Sequence, residues 1–222
     1  MHVNQQHFNA AIGTLRQCGF FESFSGQPDA QVAATLLEDL RQRYANDSFY
    51  QQYPEHRPDQ QLLTEFSDSP SPNNYKLLAA YDATRVWAGD LEADVCAGNK
   101  VYEQLVEEYA ALSKGTLEPT GIIESWHSEE GPVTLSFNSK GQHFTAELAY
   151  YDDWIDGEVF SFLDDAMCSQ GFVSAIHAEV NTGQDVFFVR ADEEEKAHME
   201  QLLGWSFDWQ ALTGSLDDKE AH

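Results

Sequence analysis

The sequence predicts an α+β fold: a helical N-terminal part, followed by antiparallel β-hairpins with helices packed on one face. Three observations lead to this prediction. Apolar residues recur at helical spacing over residues 8–44, the pattern changes to strand-like alternation after Pro119, and polar turn segments separate the alternating runs. Aromatic residues make up 13 % of the 222 residues, which is enough to build a packed core despite the acidity of the chain.

The N-terminal part is predicted to be helical because its apolar residues share helix faces. Phe8, Ile12 and Leu15 lie on one face of a first helix. A second helix is predicted between Asp29 and Tyr44. Its apolar stripe, typical of a helix-packing surface, consists of Val32, Leu36, Leu37 and Leu40.

The middle of the chain is less regular. Residues 46–74 hold four of the seven prolines and read as a long connection with one short helix near residues 60–66. Residues 67–72 are the best candidate for a linker.

Residues 75–88 fit either a strand or a helix. Residues 99–114 predict a clear helix, with Asn99 as its N-cap.

After Pro119 the predicted order of elements is β-β-β-α-β-β-α. The four residues from Asn138 to Gly141 form the loop of a first hairpin, and those from Asn181 to Gln184 form the loop of a second. The predicted elements are strands at 121–126, 133–137 and 143–148, a helix at 154–168, strands at 175–180 and 185–190, and a helix at 192–203.

These patterns predict three regions along the chain. Residues 1–70 form a helical N-terminal region, residues 71–212 an α+β domain, and residues 213–222 a flexible tail.

The charge of the chain is its most unusual property. Asp and Glu number 38 against 12 Lys and Arg, a formal net charge of −26, and residues 120–222 alone hold 21 acidic and four basic residues. Such a field repels nucleic acid and anionic membranes and attracts basic proteins. We therefore expect a basic protein partner, no nucleic-acid partner and no membrane partner. The N-terminus shows no secretory signal, so we expect a cytoplasmic protein.

Motifs for chemistry are missing from the sequence. The three cysteines form no CxxC pair, and HExxH, GxSxG, GxGxxG and Walker A patterns are absent. No catalytic residue and no cofactor is therefore assigned.

The densest cluster of acids and aromatic rings lies between residues 150 and 158. We expect Asp153 to cap the following helix, with Asp156 and Glu158 in its first turns, where carboxylates suit the helix dipole. A protein-binding patch is compatible with capping, because aromatic rings flanked by acids make good interface anchors. A metal site is a further alternative. The candidate partner-binding residues are Tyr150, Tyr151, Asp152, Asp153, Trp154, Asp156 and Glu158.

A second acidic run contains Asp90, Glu92 and Asp94. If this segment is extended, the alternation places the three carboxylates on one side, where a divalent metal or a general acid–base pair could use them. A solvated loop is the favoured interpretation. No metal site is assigned here, and these three residues are kept as candidates for one.

Residues 75–205 carry a resemblance to a group of uncharacterised bacterial proteins found beside polymorphic toxins, which are suspected immunity proteins. The segments that carry it are Leu77-Leu78-Ala79-Ala80-Tyr81-Asp82, Arg85-Val86-Trp87, Glu92-Ala93-Asp94-Val95, Asn99, Val101-Tyr102, Pro119-Thr120 and Glu124-Ser125-Trp126, together with the β-hairpins and the start of a helix at Asp153-Trp154. The resemblance rests on composition and order and transfers no catalytic residue. It implies a cytoplasmic protein that binds and blocks one toxin.

Three functional hypotheses follow. The first is a non-enzymatic acidic binding protein that inhibits a basic toxin or another cationic protein. The second is a hydrolase that depends on carboxylates or a divalent metal. The third assigns the charge to a salty habitat, since only six lysines occur and net charge then concerns solubility. The oligomeric state stays open.

Overall fold

The computed structural model describes residues 2–178 and 185–207. This part of the chain contains eight α-helices and two three-stranded antiparallel sheets, which confirms the predicted α+β class. It divides into two compact units, residues 2–82 with 193–205 and residues 83–178 with 185–192 and 206–207. No helix in the described ranges is long and apolar enough to cross a membrane.

The first unit is entirely helical. Phe8, Ile12 and Leu15 are completely buried on one face of its first helix, as their spacing predicts, and the Phe8 ring packs edge-on against Phe66. The predicted stripe of the second helix is buried as well. The helices are α1 (His2–Gln17), α2 (Asp29–Arg43), α3 (Ser48–Gln52), α4 (Pro58–Thr64), α5 (Pro72–Ala79) and α8 (Glu193–Leu203), with 3-10 turns at Glu22–Phe24 and Pro54–His56.

The last helix of the described ranges belongs to this first unit, where α8 packs against α1. Trp205, just after α8, donates a hydrogen bond from Nε1 to the carbonyl oxygen of Pro72 at 3.1 Å and stacks edge-on against Phe20. A helix from the end of the chain thus completes a unit formed by its beginning. The division at residues 1–70, 71–212 and 213–222 stays a prediction, and residues 213–222 lie outside the described ranges.

The second unit contains both sheets. One has the order β1-β6-β5 and the other β2-β3-β4, and all pairs are antiparallel. The strands are β1 (Val86–Asp90), β2 (Thr120–Trp126), β3 (Val133–Ser139), β4 (Gln142–Leu148), β5 (Ala175–Ala178) and β6 (Asp185–Ala191); the helices are α6 (Val101–Ala110), extended by the 3-10 turn Ala111–Ser113, and α7 (Glu158–Ser169).

The stretch that fitted either a strand or a helix contains both. Helix α5 ends at Ala79, and β1 then pairs with β6, with Val86 opposite Val189. Because its partner strand lies a hundred residues further along the chain, local sequence could not identify β1 as a strand.

The hairpin between β3 and β4 is tighter than predicted. Only Lys140 and Gly141 connect the strands, and both have positive φ, 48° and 81°. Two consecutive left-handed residues form a type I′ turn, whose twist matches that of the strands. Gly141 adopts this conformation at little cost, whereas Lys140 does so under the constraint of the hairpin. The predicted loop from Asn181 to Gln184 lies outside the described ranges.

Aromatic rings form the centre of the second core. Phe160 of α7 lies 4.7 Å from the Phe188 ring and 5.3 Å from the Trp87 ring, measured between centroids. Tyr109 of α6 packs on the same group, and its hydroxyl donates a hydrogen bond to Oδ1 of Asp164 at 3.0 Å. Burial raises the pKa of Asp164 from 3.8 to about 7; the bond from Tyr109 opposes this rise, and the neighbouring Asp165 adds to it.

The raised pKa of Asp164 predicts a pH-dependent loss of stability. The folded protein keeps the Asp164 proton up to about pH 7, while the unfolded chain releases it near pH 4. The contribution of the Asp164 proton to the free energy of unfolding is therefore fully present below pH 4 and is lost as pH rises through 7. At about 1.4 kcal/mol per pH unit, its upper limit is about 4 kcal/mol.

We expect Asp164→Asn to reduce the fall in the free energy of unfolding between about pH 4.5 and pH 8, measured by urea titration. Asp68→Asn, at an exposed position of the first unit, is the matched control and should follow the wild type. An equal fall in all three proteins would contradict the prediction.

Candidate functional site

The structure places the two acidic segments found in the sequence side by side. The backbone N–H of Ala93 donates to the carbonyl of Asp153, and that of Ile155 donates to the carbonyl of Leu91, both at 2.8 Å. Residues 91–93 and 153–155 therefore run antiparallel as a short ladder. This contact is the basis of the surface described next.

We call this region the acidic–aromatic surface of the second unit. Its residues lie on or beside the short ladder. Each of them carries either a carboxylate or an aromatic ring. They are Glu92, Glu124, Trp126, Glu130, Tyr150, Tyr151, Asp152, Asp153 and Trp154.

A tight turn displays the tip of this surface. Tyr151 and Trp154 form an antiparallel bridge, and Asp152 between them has a φ of 59°. Asp is among the residues that tolerate this left-handed conformation best. The turn leaves the Tyr151 side chain 50 % exposed, with Asp152 and Asp153 exposed beside it. A large ring and two carboxylates are thus presented together.

A second pair of rings lies next to this turn. Trp126 and Tyr150 meet edge-on with their centroids 5.6 Å apart, and Nε1 of Trp126 donates to Oε1 of Glu124 at 2.7 Å. The backbone at Gly131 lies close to Tyr150, and only glycine fits there, because a Cβ at position 131 would lie 2.8 Å from Cβ of Tyr150.

The pKa of Tyr150 is raised, in part by the negative charges of this region. Partial burial raises its pKa, and so do the hydrogen bond that its hydroxyl donates to Asp152 and the charges of Asp153 and Glu130. Carboxylates on several sides make loss of the tyrosine proton less favourable. The same field favours a bound cation.

The expected capping by Asp153 is wrong. Helix α7 begins at Glu158, four residues later than predicted, so Asp153 lies in the turn before it and Asp156 is not inside the helix. The N-cap position is Gly157, and the carboxylate just before it satisfies the first free N–H of the helix, because Oδ1 of Asp156 accepts the N–H of Glu158 at 3.0 Å. Glu158 is in the first turn of the helix and exposed, as expected.

Asp156 also connects α7 to the rest of the unit. It is 5 % exposed, and its Oδ2 accepts the N–H of Ala149 at 2.7 Å. Its own N–H donates to the hydroxyl of Tyr102 at 3.0 Å. Of the predicted binding residues, Asp156 is therefore a structural support and not a contact surface.

The alternating run does not present its three carboxylates on one side. Strand β1 ends at Asp90, whose Oδ1 accepts the N–H of Glu92 at 2.9 Å, and Asp94 has a φ of 49°. The backbone is therefore not extended, and Asp94 accepts a hydrogen bond from Asn99 at 3.0 Å. Within residues 2–178 and 185–207 no group of three or more His, Cys, Asp or Glu side chains is arranged to hold a metal ion.

One contribution to the surface was not visible in the sequence. Helix α6 begins after Lys100, not after a capping Asn99, and Lys100 provides no side-chain cap. Glu124 of β2 caps the helix instead, as its Oε2 accepts the N–H of Tyr102 at 2.9 Å. Since the two residues are 22 positions apart, no local pattern could have revealed this contact.

The first unit contains a separate feature, a cleft of about 300 Å³ between α2, α3 and α4. Buried Asp59 lies at this cleft and accepts two hydrogen bonds from Arg57, at 3.0 and 2.8 Å. Burial alone would raise the pKa of Asp59, but the bonds from Arg57 and Gln60 outweigh it and lower the pKa below 3.8. Asp59 is therefore ionised at neutral pH. The residues that line the cleft include Arg41, Tyr44, Tyr50, Pro54, Arg57 and Asp59.

Replacing Asp156 should destabilise the protein. Asp156→Ala removes a buried carboxylate together with the hydrogen bonds that it accepts from the N–H of Ala149 and from the first N–H of α7. We therefore expect a loss of about 2–4 kcal/mol in the free energy of unfolding. Asp153→Ala, a change at an exposed residue that does not cap, should cost less than about 0.5 kcal/mol. Urea denaturation of both variants measures the difference, and equal losses would refute the role given to Asp156.

Comparison with protein-family models found no match, and no curated protein or solved structure matched the chain. What the chain does therefore has to be inferred from its own residues.

Proposed function

We propose that this chain is a non-enzymatic binding protein that holds a basic protein through its acidic–aromatic surface. In this proposal it acts in the cytoplasm as an immunity-type inhibitor of a cationic toxin. The observation that supports it best is the ladder between residues 91–93 and 153–155, which joins two acidic segments around exposed aromatic rings.

The rings provide the contact area of the proposed interface. Tyr151 is half exposed, and Trp154 and Tyr150 are partly exposed beside it. Tyr and Trp are enriched among the residues that dominate binding energy, because they bury a large area and lose few rotamers. A basic partner can pack lysine or arginine stems on these rings and place its charges next to the carboxylates.

The carboxylates provide steering and selection. The described residues of the second unit include nineteen acidic and five basic residues, and two of the basic ones, Arg85 and Arg190, are buried. Complementary charge raises the rate of encounter with a cationic protein and disfavours acidic competitors.

Binding should depend on salt and on this particular set of acids. The ligand for the test is the most basic protein encoded beside the gene for this chain. Association with the wild type should slow at least about tenfold between 0.05 and 0.3 M NaCl, since screening shortens the range of attraction. Stopped-flow or biolayer measurements give the association rate constant.

Two triple variants separate this surface from general acidity. Glu92→Gln/Asp152→Asn/Asp153→Asn removes three charges from the surface, and Asn tolerates the left-handed conformation at position 152. Asp39→Asn/Glu65→Gln/Asp68→Asn removes three exposed charges from the first unit. We expect the first variant to slow association about tenfold and the second less than about twofold.

Equal effects of the two triple variants would contradict the proposal. The same applies to a neighbouring basic protein that does not bind. If both variants instead raise the stability of the chain equally at low salt and neither affects binding, the acidity reflects a salty habitat.

A further inference from the structure

We propose that the cleft in the first unit binds a small aromatic carboxylate. The proposal is independent of the function given to the second unit, because it concerns other residues and a ligand of opposite charge. The cleft is formed by the least acidic part of the chain, in which residues 1–60 hold seven acidic and four basic residues.

The walls of the cleft suit a flat ring. Tyr44 and Tyr50 meet edge-on with their centroids 5.4 Å apart, and Leu40, Pro54 and Pro58 add apolar surface. Aromatic side chains and a few polar groups around a concave space are typical of small-molecule sites. The volume of about 300 Å³ holds about ten water-sized groups, at roughly 30 Å³ each. A ligand with one ring and one carboxylate is of this size.

Two guanidinium groups give the cleft its preference for an anion. Arg57 uses Nε and Nη2 for Asp59, and Arg41 uses Nη1 for Glu38 and Nη2 for Asp59. Within the described part of the chain, Nη1 of Arg57 and Nε of Arg41 make no hydrogen bond, so each arginine keeps a donor. Guanidinium donors match the oxygens of a carboxylate better than an ammonium does.

Asp59 sets the strength of this preference. Its carboxylate lies at the cleft, is 1 % exposed and occupies donors of both arginines. It orients Arg57 by a two-point contact and also neutralises part of the positive charge. The cleft should therefore bind an anion weakly, and removal of the Asp59 charge should strengthen binding.

Benzoate and its neutral analogue benzamide are the probes. Titration of the wild type, followed by the shifts of its backbone amides in ¹⁵N–¹H NMR, gives both dissociation constants and the location of the site. We expect benzoate to bind in the millimolar range or tighter and at least about fivefold more tightly than benzamide, because only benzoate pairs with a guanidinium. The shifted amides should lie in residues 40–60.

Three variants test the roles of the charged residues. Arg57→Gln/Asp59→Asn replaces the ion pair between half-buried Arg57 and buried Asp59 by two amides and should weaken benzoate binding at least about tenfold. Arg43→Gln removes one positive charge that does not line the cleft and should change binding less than about twofold. Asp59→Asn should tighten binding about threefold or more, since Arg57 then has no competing carboxylate and Arg41 keeps only Glu38.

The proposal is overturned if benzoate does not bind, if benzamide binds equally well, or if the shifted amides lie outside residues 40–60. It is also overturned if Arg57→Gln/Asp59→Asn is folded by circular dichroism and binds benzoate like the wild type. Should that variant not fold, the comparison of benzoate with benzamide on the wild type decides alone.

Discussion

Asp156 joins parts of the second unit that lie far apart along the chain. Its carboxylate accepts the N–H of Ala149 after β4 and the N–H of Glu158 at the start of α7, and its own N–H donates to the hydroxyl of Tyr102 on α6. A buried carboxylate that accepts two backbone N–H groups is strongly held, because either group would be left unsatisfied without it. The segment between β4 and α7 has its shape because both of its ends are held at this residue.

The acidic–aromatic surface depends on that support. Between the two ends held by Asp156, residues 153–155 pair with residues 91–93 and the turn at Asp152 displays Tyr151. Tyr102 extends the same network, because its N–H is accepted by Glu124, which also accepts the indole N–H of Trp126. Rings and carboxylates are thus positioned by hydrogen bonds to backbone groups, and this pre-organisation lowers the entropy lost when a partner binds.

The two units place opposite chemical preferences in one chain. The second collects carboxylates around aromatic rings, and the proposed binding of a cationic protein rests on this arrangement. The first holds two arginines around one buried carboxylate, and the proposed binding of a small anion rests on their remaining donors, although the chain as a whole carries −26. In that proposal local contacts outweigh net charge, since contacts at hydrogen-bond distance are screened far less than long-range repulsion.

The sequence by itself determined the α+β class, the buried stripes of α1 and α2, and the accumulation of charge after residue 120, because these follow from local periodicity and composition. Only the tertiary structure decided that β1 is a strand, that α8 completes the first unit, that Glu124 caps α6, and that Asp156 and not Asp153 accepts the first free N–H of α7. Each of these depends on a partner remote in sequence or on a helix boundary that shifts with packing. The arginine-lined cleft belongs to the same class, since its walls come from three helices that only folding brings together.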